Sequence, residues 1–487
     1  MSSRVTSAYA LSYGAFLLIG GRFGDLFGHR RIYIIGVTWF SIWAVINGFS
    51  KDPIVMSVGR ALQGMGAGFT IPSALAILTT TYPVGPERTQ ALAIFGGTGA
   101  IGSVIGVLFG GIFGSTIGWR WIFYITAILG FIMAIMGFVV IPASQNQSRV
   151  EDRRIDMFGI TSFTAGIVCV IYYLSEGPSA GWTVAKTLAP FIIGLILLVA
   201  FVAIEWKIDY PIMPLRIWRS RRLVASCLTI ICVSAAINTM IFFSSLTFQN
   251  VQGYSPMKTS LTYLVHGIGA IATIIALTKL VTMVRTKIIM VVGWVFFIAS
   301  GVLFAQIKAD SSYWSIAFPA LILNFLGMAP VWLCCQINSV ADANDEDQGV
   351  TGAVYNVSLQ IGAPIGIAIS NIIANGRNAD DAFGPALLPG YQSAFYSYAI
   401  MAGVGLVVTL IFAANRDLLK MSQPDATENI EDEENGSDAV GHPVANDTAR
   451  NSEIFEVKGV ESAAATTIFQ GSATSLGQAG EKTELKD

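Results

Sequence analysis

The sequence predicts an all-α polytopic membrane protein that crosses the bilayer about thirteen times. Three observations predict it. Of the 487 residues, 53% are hydrophobic and 12% charged, against ~25% charge in a soluble domain, so there is too little charge to coat several water-soluble domains. The apolar residues gather into stretches near the ~17–25 residues that cross a ~30 Å hydrocarbon core. The 49 glycines suit helices that pack closely in lipid.

Taken in order, the stretches are 7–21, 31–48, 54–80, 90–113, 121–141, 157–174 and 187–208, then 223–245, 259–277, 286–305, 313–339, 352–374 and 391–414. Charges and aromatics mark their ends. Trp119, Trp121, Trp182, Trp206, Trp218 and Trp314 fall at the expected interfaces, where amphipathic rings prefer to sit. Alternate connections carry very different charge. One set holds Arg22, Arg30, Arg31, Arg88, Arg149, Arg153, Arg154, Arg216, Arg219, Arg221, Arg222, Arg285, Lys287, Arg416 and Lys420. The other has single cations such as Lys51, Arg120, Lys186 and Lys258. The cation-rich side is expected in the cytoplasm, and with it the C-terminus. Arg4 and the short run after it are not read as a signal peptide, because the run flows into a charged turn with no clear small-residue cleavage site.

Composition changes abruptly near Ser422. The stretch from Glu428 to Asp438 is acidic and polar, and the remainder is rich in Ser, Thr, Ala and Gly, so 421–487 is expected to be a disordered acidic cytoplasmic tail. The segment 207–222 is a basic connector. Cys169, Cys227, Cys232, Cys334 and Cys335 sit in apolar runs without metal-type spacing and imply neither a metal site nor a disulfide framework.

Three motifs carry chemistry. The first connection reads Gly21-Arg-Phe-Gly-Asp25-Leu-Phe-Gly28-His-Arg30-Arg31. Gly21 and Gly28 permit a tight turn. Asp25 offers a carboxylate near a helix end, where it can pair with a cation or a helix N-terminus, and the basic pair suits an anionic leaflet. The third stretch contains Arg60, about seven residues inside, followed by Gln63-Gly64-Met-Gly66-Ala-Gly68. A charge there is costly and marks a functional site by default, with snorkelling to the outer interface as the alternative. The fourth stretch places Gly102, Gly106 and Gly110 four residues apart, a spacing that lets helices approach backbone to backbone. The overlapping Gly97-Thr-Gly99-Ala-Ile-Gly102 follows no strand and is not a dinucleotide loop.

The chain also echoes itself. Residues 346–366 repeat the pattern of 85–106: an acidic loop, then a helix with small residues four apart, here Gly362, Gly366 and Ser370.

These motifs resemble those of the major facilitator superfamily: the glycine–acid–arginine loop, the arginine-bearing helix and the glycine-rich helix after it. In the last, Val107 stands where the family's antiporter motif usually has proline, which weakens the inference of antiport. The chain is most similar to fourteen-span drug:proton antiporters, and within them to fungal aminotriazole-resistance and low-affinity ammonium transporter relatives. Trp119–Tyr124, Pro211–Arg216 and Phe248–Pro256 share that likeness. The resemblance implies the major facilitator fold: an N-terminal bundle over 1–142, an extra central helix pair with linkers over 143–222, and a C-terminal bundle over 223–420. The glycine–acid loop follows the first stretch here and the second helix in the family, so the family's first helix, with its intramembrane aspartate, is expected to be missing from the sequence. No convincing mid-membrane carboxylate replaces it, and Glu205 lies near a cytoplasmic end.

The resemblance implies roles as well. Gly21, Asp25, Gly28, Arg30 and Arg31 would gate, and Arg60 would couple protons. A facilitator site lies at mid-membrane between the halves, with Gln63, Asn238, His266, Asn324, Gln336 and Gln360 as candidate lining; each can instead bridge neighbouring helices. The expected activity is proton-coupled export of small organic or toxic solutes by alternating access. The alternatives are uptake or facilitation of a small cation such as ammonium, or a non-transporting truncated product. Neither a nucleophile–base pairing nor a P-loop points to an enzyme or an ATP-driven pump. The expected partners are lipid, substrate and protons, with no cofactor or nucleic acid, for a monomer in the plasma membrane.

Overall fold

The computed structural model describes residues 2–83, 85–142, 156–344, 347–378 and 384–412. The acidic tail, Arg149, Arg153, Arg154, Glu346, Arg416 and Lys420 lie outside them. Among the described residues the chain is helical, with no strand. The first half runs α1 Ser2–Phe27, α2 His29–Phe49, α3 Pro53–Thr81, α4 Pro86–Ser115 and α5 Arg120–Val140. A pair follows, α6 Met157–Ala180 and α7 Ala185–Lys207. The second half runs α8 Arg221–Leu246, α9 Pro256–Thr262, α10 Leu264–Met283, α11 Thr286–Phe304, α12 Phe318–Ser339, α13 Gln348–Asn375 and α14 Leu388–Phe412.

Eleven segments among the described residues are long and apolar enough to cross a membrane. The other two expected spans are α1 and α4, helices of 26 and 30 residues. Two details differ from expectation. The stretch 259–277 is broken at Tyr263 into α9 and α10. The glycine–acid loop is almost entirely helix: α1 continues through Asp25 to Phe27, and α2 begins at His29. Only Gly28 turns the chain, at φ 94°, a left-handed conformation that favours glycine.

Helix starts follow elementary capping. Asp52 Oδ1 accepts the Ile54 N–H at 2.7 Å before α3, and Ser220 Oγ accepts the Leu223 N–H at 3.2 Å before α8. Hydroxyls inside the helices return to their own backbone, as Ser41 does to Val37 O at 2.7 Å and Thr70 to Gly66 O at 2.8 Å. Such bonds give these hydroxyls partners where water is scarce.

α1, α2, α3 and α5 pack together, as do α8, α11, α12, α13 and α14. The second group is centred on Trp294, fully buried, whose Nε1 donates to Thr409 Oγ1 at 2.8 Å. The halves meet where α1 and α3 lie along α13, and where α4 lies along α10 and α12. In the pair α6/α7 the backbones approach at Gly166 and Gly194; a Cβ on Gly194 would stand 3.0 Å from Gly166 O. α6 rests on α1 and α13 together, burying Leu17, Leu18, Ile167, Ile171, Val354 and Val357 in one apolar cluster. α6 therefore lies along the line where α1 and α13 meet, with α7 packed behind it.

The two glycine stripes sit differently. Gly362 and Gly366 of α13 press on the α8 backbone, and a Cβ on Gly366 would stand 2.6 Å from Ala235 Cα. Around Gly102, Gly106 and Gly110 of α4, a Cβ would meet nothing within 4 Å among the described residues.

Candidate functional site: a seam at the start of α13

The first turn of α13 is where elements from both halves converge. Asp25, in the last turn of α1, is fully buried. Its Oδ1 accepts the Gly349 N–H at 3.3 Å, and His29 Nε2 stands 3.2 Å from the same oxygen. Gly349 is the second residue of α13. Its N–H is one of those a helix leaves unpaired, and the carboxylate sits at the positive end of the helix dipole.

Close backbone approach makes this contact possible. Gly21, one turn before Asp25, faces Gly349 across the seam: a Cβ on Gly349 would stand 2.7 Å from both Gly21 O and Asp25 Oδ1, and a Cβ on Gly21 would stand 3.0 Å from Ala353 Cβ. Gly21 is thus not a turn residue, as the motif suggested. It lies inside α1 and lets two helices from different halves touch. Gly28 makes the turn.

Two further groups hold the same corner. Arg88, buried in the first turn of α4, donates to Gln348 Oε1 at 3.3 Å and Val340 O at 3.4 Å, linking α4 to both sides of the α12–α13 connection. Arg216, in the connector before α8, grips Asp347 with two bonds of 3.1 and 3.2 Å. Asp342 accepts from Ser220 at 2.8 Å and pairs with Arg222 at 3.0 Å. A cavity of about 340 Å³ lies beside them, lined by Arg216, Arg219, Asp342, Asn344, Asp347 and Thr351 among others. These polar contacts lie beside an apolar one, Leu75 of α3 against Gly352 of α13.

Of the five residues expected to gate, Asp25 and Gly21 lie on the seam and Gly28 joins α1 to α2. Arg30 turns away: it donates to Phe138 O and lies 5.1 Å from the Phe138 ring, tying α2 to α5 within the first half. Arg31 is exposed. Basic residues at or beside the seam include Arg88, His29, Arg22 and Arg216.

Arg60 is turned inward. Its Nη1 donates to Gln63 Oε1 at 2.9 Å, Asn47 Nδ2 donates to the same oxygen at 3.3 Å, and the guanidinium lies over Tyr9 at 4.5 Å and Phe123 at 5.7 Å. Such stacking holds a desolvated cation.

The remaining candidates do not form one cluster. Asn238 bonds to Ser234 O on its own helix at 2.9 Å. Asn324 is fully buried and donates to Tyr398 Oη at 2.9 Å. His266 packs edge to face with Phe325, ring centroids 6.3 Å apart. Gln336 and Gln360 face the other half: a Cβ on Gly96 of α4 would stand 2.9 Å from Gln336 Oε1, and one on Gly14 of α1 would stand 3.7 Å from Gln360 Cβ. Arg88, His29, Gln348 and Gly349 were missed as members of the seam. The acidic loop shared by 85–106 and 346–366 was the available signal, since it brackets Arg88 and Gln348–Gly349.

Residues 2–367 match the Major Facilitator Superfamily model. The chain is 28% identical over 415 residues to the low affinity ammonium transporter of Saccharomyces cerevisiae, covering 84% of this chain and 80% of that one. It is 29% identical over 425 residues to the multidrug transporter mfsC of Aspergillus fumigatus, covering 86% and 82%. Its fold is like that of the human organic anion transporter MFSD10, with TM-score 0.59 and 12% identity over 84% of this chain and 83% of that one.

Proposed function

Because this chain belongs to the major facilitator superfamily, whose members here are multi-pass membrane transporters and not enzymes, we propose that it exports small organic or toxic solutes by alternating access, driven by protons. The two halves rock about a site between them, and the α13 corner is the joint that opens and closes on the cation-rich, cytoplasmic side. The observation that carries this reading is Asp25 on the Gly349 N–H, a carboxylate from one half capping a helix of the other. Such a contact contributes about 1–2 kcal/mol, enough to bias a conformational equilibrium and weak enough to be broken in each cycle.

Gln336 and Gln360, which face the other half, are the proposed substrate contacts, while Gln63 is held by Arg60 and Asn47 within the first half. Arg60 is proposed to influence proton movement. The likeness to a multidrug transporter supports export. The likeness to an ammonium transporter supports a second reading, uptake of a small cation, at similar identity. The protein is proposed to act as a monomer in the plasma membrane.

The test is flux in proteoliposomes. An imposed pH gradient should drive drug efflux, and Arg60→Lys should weaken the dependence, because a lysine keeps the charge and loses the planar fork. Flux indifferent to the gradient contradicts proton coupling. Accumulation of ammonium without drug efflux favours the second reading.

A further inference from the structure

Asp156 and Glu205 stand at one end of the extra helix pair. Asp156 is the cap before α6, and Glu205 lies in the last turn of α7. Each is anchored to backbone on one side. Asp156 Oδ1 accepts the Gly159 N–H at 2.7 Å. Glu205 Oε1 and Oε2 accept the N–H groups of Ile212 and Met213, each at 3.2 Å, and so fold the chain back after α7.

Asp156 Oδ2 and Glu205 Oε1, the latter also accepting from Ile212, lie on either side of Gly159. A Cβ on Gly159 would run into Asp156 Oδ2 and stand 3.2 Å from Glu205 Oε1. Asp156 is 2% exposed and Glu205 4%. Asp156 Oδ2 is buried and has no donor among the described residues. Water cannot screen the pair, and two unit charges 4 Å apart repel by about 4 kcal/mol at an effective dielectric constant of about 20. Among the described residues, the charged groups acting on Glu205 are Asp156 and, from α1, Arg22. The connector contributes only backbone donors. Arg22 is itself buried and also acts on Asp25. Among the described residues, one guanidinium thus acts on two buried carboxyls, Asp25 and Glu205, with Asp156 beside the second.

We propose that Asp156 and Glu205 together bind one exchangeable proton, held between Asp156 Oδ2 and Glu205 Oε1, and that Arg22 relays its presence to Asp25. The proton is carried as an O–H on one carboxyl and donated to the other. It comes from the aqueous phase at that end of the molecule and returns there. With the proton bound, the pair carries one negative charge and Arg22 is shared with Asp25. When it leaves, two anions draw Arg22 toward α6 and α7 and loosen its hold on Asp25 at the seam. The link to transport rests on the proton-driven reading above; the proton site does not.

The test is infrared difference spectroscopy on the full chain in lipid nanodiscs as pH is stepped from acid to alkaline. The wild type should show the carbonyl stretch of a neutral carboxylic acid, shifted in D2O and lost at alkaline pH. Asp156→Asn and Glu205→Gln should each abolish the pH-dependent band, and Gly159→Ala, which pushes the carboxyls apart, should displace it. Asp310→Asn, an exposed carboxylate, should leave it unchanged. Arg22→Gln should move its loss to higher pH, since removing the cation disfavours the doubly ionised pair. Absence of the band in the wild type, or its survival in both carboxyl variants, overturns the site. An unmoved midpoint in Arg22→Gln overturns the relay. An intact band with flux indifferent to a pH gradient leaves the site standing and contradicts proton-driven export.

Discussion

Asp25 of α1 and Gly349 of α13 are 324 residues apart and meet through one hydrogen bond of 3.3 Å, a carboxylate from one half on the opening N–H of a helix in the other. Gly21 makes the meeting possible by presenting bare backbone to Gly349 one turn earlier. Everything proposed about opening and closing depends on that joint.

Asp25→Asn keeps the shape of the side chain and removes its charge. The loss of about 1–2 kcal/mol at the helix terminus should raise the open population about 5- to 30-fold. Maleimide labelling of a cysteine placed at Ala353, which packs on Gly21, should accelerate accordingly. An unchanged labelling rate shows that the contact does not hold the seam.

Gly349→Ala tests the same joint without touching charge. The added methyl would stand 2.7 Å from Asp25 Oδ1 and Gly21 O, and overpacking of this kind costs about 1–3 kcal/mol. Labelling at Ala353 should rise as in Asp25→Asn. The double variant should fall short of the sum, because neighbouring groups that share a partner are not additive.

Arg88 and Arg216 should differ. Arg88 is buried and bonds across the seam, so Arg88→Ala leaves acceptors unpaired, at about 1.5–3 kcal/mol for a charged donor, and should slow flux at least ~10-fold. Arg216 is 55% exposed, and exposed pairs are worth about 0–1 kcal/mol. Arg216→Ala should leave flux within about fivefold of wild type. The reverse order in a transport assay contradicts the seam as drawn.

The two glycine stripes give a contrast in stability. Gly366→Ala drives a methyl into the α8 backbone and should lower the melting temperature in detergent. Gly106→Ala meets no neighbour among the described residues and should be neutral or raise it slightly, since alanine favours helix by about 0.5–1 kcal/mol. Equal losses in both variants would contradict this difference in packing.

The helical spans were legible because lipid leaves the backbone little choice: apolar runs of sufficient length must be helices. Their ends were less so, and α1 ran on through the motif read as a loop because Gly24 and Asp25 are tolerated in a helix when partners lie alongside. Asp25 was legible as a carboxylate seeking a helix end; which end it found depended on α13, beyond the reach of local pattern. Arg30 was expected in the gate from the resemblance to the family's loop motif; after the turn at Gly28 it bonds to Phe138 O within the first half. Arg88 was marked only indirectly, by the repeat of its acidic loop near Gln348, since its acceptors lie about 250 residues away. Glu205 read as an interfacial charge because periodicity does not reveal that the connector at Ile212 and Met213 folds back over it.

The most direct test is to lock the seam. A Cβ on Gly352 would stand 3.9 Å from Leu75 Cβ, within the ~3.5–4.5 Å that a disulfide spans. This joins α3 of one half to α13 of the other. In a background lacking the five native cysteines, oxidising Leu75→Cys/Gly352→Cys should stop flux in proteoliposomes, and reduction should restore it. Full flux with the crosslink formed would contradict alternating access by opening at this joint.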